Sequence, residues 1–191
     1  KILLFIFILT LILLDHGAIV NEGISISLDV VGFILVLIGG FGRIWASLYI
    51  EGNKTRRIVS KGPYSMMRNP LYVFSLILLI GYCFAIQSII ISCVSLILFT
   101  LIYIPTVYSE EKILLNMHNE KYEEYYRQTP RFLPKFKLYK EVDSSNQINI
   151  NIRKIRNILI EISGFIFFFG LTKLFDLLHH LDIIPTLFIL Y

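Results

Sequence analysis

Long apolar stretches alternate with short polar ones along the 191 residues of this chain. Residues 2–14 carry no charged side chain, and longer apolar runs follow at about 28–50, at 71–86 and at 88–107. The last two are separated only by a tight turn at Gln87-Ser88. A fifth apolar region begins at Ile158. No run shows the period-two alternation of a half-buried strand. A bilayer core of roughly 30 Å needs about 20 apolar residues per helix, and its backbone groups must bond to one another. The pattern therefore predicts an all-α integral membrane protein with about five transmembrane helices. Residues 1–27 hold the first span and an outer loop, 28–140 a membrane core, 141–157 a basic linker, and 158–191 a C-terminal membrane segment. That last segment is long for one helix and short for two. Lys173, Asp176, His179, His180 and Asp182 interrupt it, which suggests one helix followed by a short re-entrant or interfacial piece. Lys173 and Asp176, three apart, are expected to pair. At the other end the chain is apolar from Ile2 onward, so a few residues are expected before Lys1. A signal peptide is not expected, since no small-residue cleavage site follows.

Charge orients these spans. Lys54, Arg56, Arg57, Lys61 and Arg68 lie in 51–70. Ten more Lys and Arg lie in 108–157, so the two segments hold fifteen of the eighteen basic residues. Residues 15–27 and the turn at 87–88 have none. By the positive-inside rule both basic segments are cytoplasmic, in what is expected to be a bacterial inner membrane. Composition adds two exclusions. A net charge of +4 on a chain that is 55% hydrophobic is too small and too localised for nucleic-acid binding. Cys83 and Cys93 both sit inside apolar runs, where inert thiols are expected rather than a disulfide.

The candidate chemistry lies where the spans meet the basic side. Gly62-Pro63 marks a turn, and Asn69-Pro70 opens the third span with a cap residue and a first-position proline. That arrangement serves as a plain helix start. It also presents free N–H groups and a positive dipole end to an anion, with Arg68 as a second anion partner. Glu110 and Glu111 stand where the fourth span leaves the membrane. If the helix continues, Glu111, Leu115, His118, Tyr122 and Tyr126 share one face, and the helix should stop before Pro130. The hairpin of spans three and four brings both stretches together, giving an anion site beside a cation site that suits a zwitterion. Lys135, Lys137 and Lys140 are expected to meet anionic headgroups. Gly39-Gly40-Phe41-Gly42 reads as a helix-packing stretch, and no Gly-x-Gly-x-x-Gly follows a strand.

In order and spacing, several motifs resemble the isoprenylcysteine carboxyl methyltransferase and phospholipid methyltransferase superfamily. They are Gly62-Pro63-Tyr64, Arg68-Asn69-Pro70-Leu71-Tyr72, Gly81, Glu110-Glu111, Tyr122, Tyr125 and Pro130-Arg-Phe-Leu-Pro134. The resemblance covers roughly residues 28–136. It implies an integral membrane methyltransferase that takes its methyl group from S-adenosylmethionine, bound on the cytoplasmic side by the span 3/4 hairpin and the amphipathic helix after it. It carries cofactor contacts onto Arg56, Arg57, Ile58, Val59, Tyr64, Asn69, Pro70, Leu71, Tyr72 and Glu110. Three departures matter. Asn69 stands where the family usually has His, and Phe74 where its loop has Gly. Thr106 stands four residues before Glu110, where prenylcysteine enzymes usually have an Arg linked to the substrate carboxylate. A prenylcysteine carboxylate is therefore a less favoured acceptor.

The expected function is methyl transfer to a lipophilic acceptor arriving from the bilayer. The alternatives are a phospholipid amine, a small thiol, or a non-catalytic scaffold or sensor that keeps the cofactor fold. A carboxylate or thiolate acceptor needs no base, whereas an amine does. Glu111 and His118 are the catalytic candidates for that role. His179, His180 and Asp182 read as a polar helix end, so no resident metal is expected.

Overall fold

A computed structural model describes residues 14–16, 22–50, 58–141, 152–181, 183 and 188–190. The regular elements among the described residues are helices apart from one short parallel strand pair. Helix α1 is Glu22–Ile50, α2 is Pro63–Met66, α3 is Pro70–Ile86, α4 is Ile89–Gln128 and α5 is Ile152–His180. A 3₁₀ turn covers Phe136–Leu138. Strands β1 (Leu14–His16) and β2 (Phe188–Leu190) pair in parallel, with Leu14 opposite Phe188. Three helical stretches, α1, α4 and Ile162–His180 of α5, are long and apolar enough to cross a membrane, and α3 is a shorter apolar helix. Their large exposed side chains, Ile97, Leu101 and Phe167 among them, would be penalised by water and are accepted by lipid.

Local signals explain the boundaries. Gln87 takes a left-handed φ of 54° in the turn after α3. The Ile91 N–H then donates to Ser88 Oγ at 3.4 Å, so Ser88 caps the start of α4. The fourth span, expected to leave the membrane near Val107, continues as helix past Pro105 to a kink at Asn119 (φ 43°, ψ −125°), beyond which a second helical piece runs to Gln128. It stops before Pro130, as the sequence requires. The C-terminal region resolves into one long helix beginning at Ile152, within the stretch read as a linker. The strand pair was absent from the sequence reading, because three residues are too few to show a period. Residues 2–13 of the expected first span lie outside the described residues.

The chain divides into two compact units. The first takes residues 1–38, 77–98 and 163–191. Val36, Ala85 and Phe169 form its buried core, with Tyr82 packed against them. A Cβ added to Gly81 would lie 2.7 Å from the Gly32 carbonyl oxygen, so α1 and α3 meet here backbone to backbone. A polar cluster crosses the same unit. Lys173 pairs with Asp29 at 2.7 Å and with Asp176 at 2.9 Å, and Gln87 Nε2 donates to Asp29 at 2.8 Å. The second unit takes residues 39–76 and 99–162. Here the Phe74 ring rests on Gly42, where an added Cβ would stand 2.1 Å from Cδ1. The loop position where the family has Gly is thus filled by an aromatic ring that a glycine on α1 accommodates.

Candidate functional site

The site, which lies in the second unit, begins at a forced turn. Gly62 has φ 60°, and a Cβ there would stand 2.2 Å from the Tyr49 ring, so glycine alone fits. Pro63 then starts α2. The segment after α4 straps this loop through backbone bonds. Arg68 N–H donates to the Pro130 carbonyl at 2.8 Å, Asn69 N–H to Arg131 at 3.3 Å, Lys135 N–H to Met66 at 3.1 Å, and Gly62 N–H to Lys140 at 2.8 Å. Tyr125 adds a hydroxyl donation to the Tyr64 carbonyl at 2.7 Å.

Under the strap, Glu111 is 4% exposed and collects three donors. Arg68 Nε approaches it at 3.1 Å, Arg131 at 2.9 Å, and Asn69 Nδ2 donates at 2.9 Å. Arg68 also donates to the carbonyls of Tyr126 and Thr129, and its guanidinium lies 3.8 Å from the Tyr126 ring centre. Arg131 lies over the Tyr108 ring at 4.2 Å. A carboxylate so buried is tolerable because two guanidiniums neutralise it and hydrogen bonds occupy its lone pairs.

Glu110, one residue earlier, has a different fate. It is half-buried and faces a cavity of about 260 Å³. Ile50, Ile58, Val59, Leu71, Ile113 and Leu114 supply its apolar walls. Tyr64, Tyr72, Tyr122, Tyr125, Arg68, Asn69 and the two glutamates supply its polar ones. Among the described residues Glu110 forms no ion pair, and Tyr72 lies close enough for its hydroxyl to feel the Glu110 charge. The Tyr64 hydroxyl is buried without a hydrogen-bond partner among the described residues. Burial, and then the Glu110 charge, pushes its pKa well above the ordinary phenol range, so it remains an O–H donor. The N–H groups of Leu71 and Tyr72, in the first turn of α3, have no acceptor among the described residues. The cavity therefore offers one open carboxylate, one unsatisfied hydroxyl and a helix N-terminus with free donors. A zwitterion with a cationic amine fits that donor set.

Of the expected site residues, the structure gathers Ile58, Val59, Tyr64, Arg68, Asn69, Leu71, Tyr72, Glu110 and Glu111 around this cavity. Pro70 is buried and sets the helix start without lining it. Arg56 and Arg57 lie outside the described residues. His118 does not line the cavity; the break at Asn119 follows it directly. Two local expectations change. Arg68 does not wait for an anion but is bound to Glu111. Asn69 does not turn its oxygen to cap α3; its amide donates to Glu111 and, at 3.4 Å, to the Arg131 carbonyl. Arg131 went unassigned in the sequence although it sits in the quoted Pro130–Pro134 motif. Its sign, beside an extended strap facing two glutamates, was the available signal. Ile113 and Leu114 were missed as well, and helical spacing from Glu110 would have found them.

A family model for phospholipid methyltransferase matches residues 28–121. The chain is 30% identical over 186 residues to the nickel-cobalt-cadmium resistance protein NccN of Alcaligenes xylosoxydans xylosoxydans, covering 96% of this chain and 84% of that protein. It is 32% identical over 176 residues to the cobalt-zinc-cadmium resistance protein CzcN of Cupriavidus metallidurans, covering 91% of this chain and 78% of that one. No solved structure matches.

Proposed function

The chain belongs to the phospholipid methyltransferase family, and from that premise we propose that it transfers a methyl group from S-adenosylmethionine to a lipophilic acceptor at the membrane interface. The observation that carries this reading is the divergence of two adjacent carboxylates. Glu111 is spent on Arg68 and Arg131, while Glu110 faces the cavity with the unsatisfied Tyr64 hydroxyl.

The residues present fit the donor. Glu110 would accept hydrogen bonds from its ammonium group, and the Leu71 and Tyr72 N–H groups would meet its carboxylate. The faces of Tyr64 and Tyr72 suit a sulfonium. When bound, S-adenosylmethionine supplies a methyl group activated for in-line displacement by the positive sulfur. The task left to the protein is alignment and exclusion of water, and the strap fixes the loop for that purpose. The base role expected of Glu111 finds no support, because the carboxylate that would take a proton is neutralised by two guanidiniums. His118 stands away from the cavity lining. This favours an acceptor that arrives deprotonated, or one whose proton leaves to solvent.

The relatives' names add a physiological reading, in which the modified lipophilic acceptor serves tolerance of cobalt, nickel, zinc or cadmium. The test is transfer of labelled methyl from S-adenosylmethionine into extracted native lipids, thiols and protein, comparing the parent with Glu110→Gln. Label in a lipid fraction that the variant fails to produce supports the reading. Tight binding of S-adenosylhomocysteine with no labelled product from any acceptor sinks it, and supports a scaffold or sensor that keeps the fold.

A further inference from the structure

The strap that holds the site loop has an outer face with its own chemistry. Four large side chains are exposed in eight residues: Phe132 at 37%, Leu133 at 81%, Phe136 at 74% and Tyr139 at 43%. Leu133, Phe136 and Tyr139 recur every third residue, with Phe136 opening a 3₁₀ turn, Phe136–Leu138, that Tyr139 closes. Lys135, Lys137 and Lys140 are interleaved with them and exposed, and none forms an ion pair among the described residues. An apolar row with unpaired lysines beside it suits neither water nor a dry protein interface. It suits the boundary between headgroups and acyl chains.

A second observation fixes the level of this face. Tyr139 packs against Trp45 at 6.3 Å between ring centres, and Trp45 packs edge-on against Tyr49. Both belong to the last turns of the membrane-crossing helix α1. Trp and Tyr at a span's end mark the bilayer interface, so the strap runs along that plane.

We propose that residues 132–140 dock on the anionic headgroups of the bilayer, with Leu133 and Phe136 seated in the acyl boundary and Lys135, Lys137 and Lys140 on lipid phosphates. The same segment is tied to Met66, Arg68, Asn69 and Gly62 through its backbone, so the lipid surface buttresses the loop that carries the cavity. The docking itself does not depend on methyl transfer.

The test uses the full chain in nanodiscs, with Cys83 and Cys93 replaced by alanine and a polarity-sensitive fluorophore on Phe136→Cys or, separately, on Leu133→Cys. Discs of phosphatidylcholine alone are compared with discs that also contain phosphatidylglycerol. The expected result is blue-shifted emission and protection from aqueous iodide in the anionic discs. Both signals should weaken at high salt, because the lysine contacts are screened, and in the triple variant K135Q/K137Q/K140Q. Emission that is identical in neutral and anionic discs overturns the proposal. So does protection that follows protein concentration rather than lipid charge, which would assign the face to a second copy of the chain.

Discussion

At the residue scale, two neighbouring glutamates should fail in opposite ways. Glu110→Gln removes the cavity's open charge and leaves the strap intact. A charge-assisted hydrogen bond contributes roughly 1.5–3 kcal/mol, so affinity for S-adenosylhomocysteine by calorimetry should fall about tenfold to a hundredfold with unchanged thermal unfolding. Glu111→Gln removes the one carboxylate that the Arg68 and Arg131 guanidiniums share. Breaking a buried pair costs about 3–5 kcal/mol, and the loss should appear as a lowered melting temperature before any effect on affinity. The assignment fails if the two variants behave alike. Tyr64→Phe separates a ligand contact from a structural one. Its hydroxyl has no partner among the described residues, so removing it should leave stability equal or higher while donor affinity drops. A stability loss with unchanged affinity would instead show that the hydroxyl serves the fold. The sequence placed these residues together correctly, because order and spacing fix who meets whom at the ends of a hairpin. It could not say which glutamate would be neutralised. That depended on Arg131, twenty residues after Glu111, returning along the strap.

At the element scale, the α3 start and the α1–α3 contact carry the expectations. Asn69→Asp would conserve a helix cap, but the structure turns the Asn69 amide to Glu111. Aspartate there would set one buried carboxylate against another. The expected outcome is a destabilised protein by thermal unfolding, with Asn69→Ala milder. A fully stable aspartate variant would return Asn69 to a capping role. In the other unit, Gly81→Ala has no room: its Cβ would meet the Gly32 carbonyl at 2.7 Å and Val36 at 2.9 Å, backbone on both counts. Overpacking of this kind costs about 1–3 kcal/mol, measurable as an earlier unfolding transition in detergent. Helix identities and most of their ends were legible from apolar runs, Pro70 and Pro130. The helix after Val107 was legible too, in the shared face of Glu111 to Tyr126 and the stop before Pro130, but its break at Asn119 was not, because no proline or glycine marks it. The Lys173–Asp176 pair was legible as an i,i+3 contact. Asp29 as its third member was not, since that contact joins distant parts of the chain.

At the scale of the whole molecule, the arrangement stands or falls on which side of the membrane the basic segments face. Fifteen of eighteen Lys and Arg lie in 51–70 and 108–157, and loop charge sets orientation because translocating it is costly. The cavity and the strap are both built from residues of these segments and the helix ends beside them. A cytoplasmic orientation would give them access to a cytoplasmic methyl donor. The turn between α3 and α4 has no basic residue and should face the other side. Gln87 is a poor place for a probe, since it donates to Asp29 and to the Ser25 carbonyl. Ile89 is 75% exposed and better suited. With Cys83 and Cys93 replaced by alanine, Ser60→Cys and Ile89→Cys should react with a membrane-impermeant maleimide from opposite sides of sealed, oriented vesicles. Ser60→Cys should label only where the cytoplasmic face is outward or the vesicles are opened. Labelling of both from one side would mean that α3 does not cross the bilayer. Labelling of Ser60→Cys only from the side opposite the cytoplasm would invert the chain and leave the cavity without a source of donor.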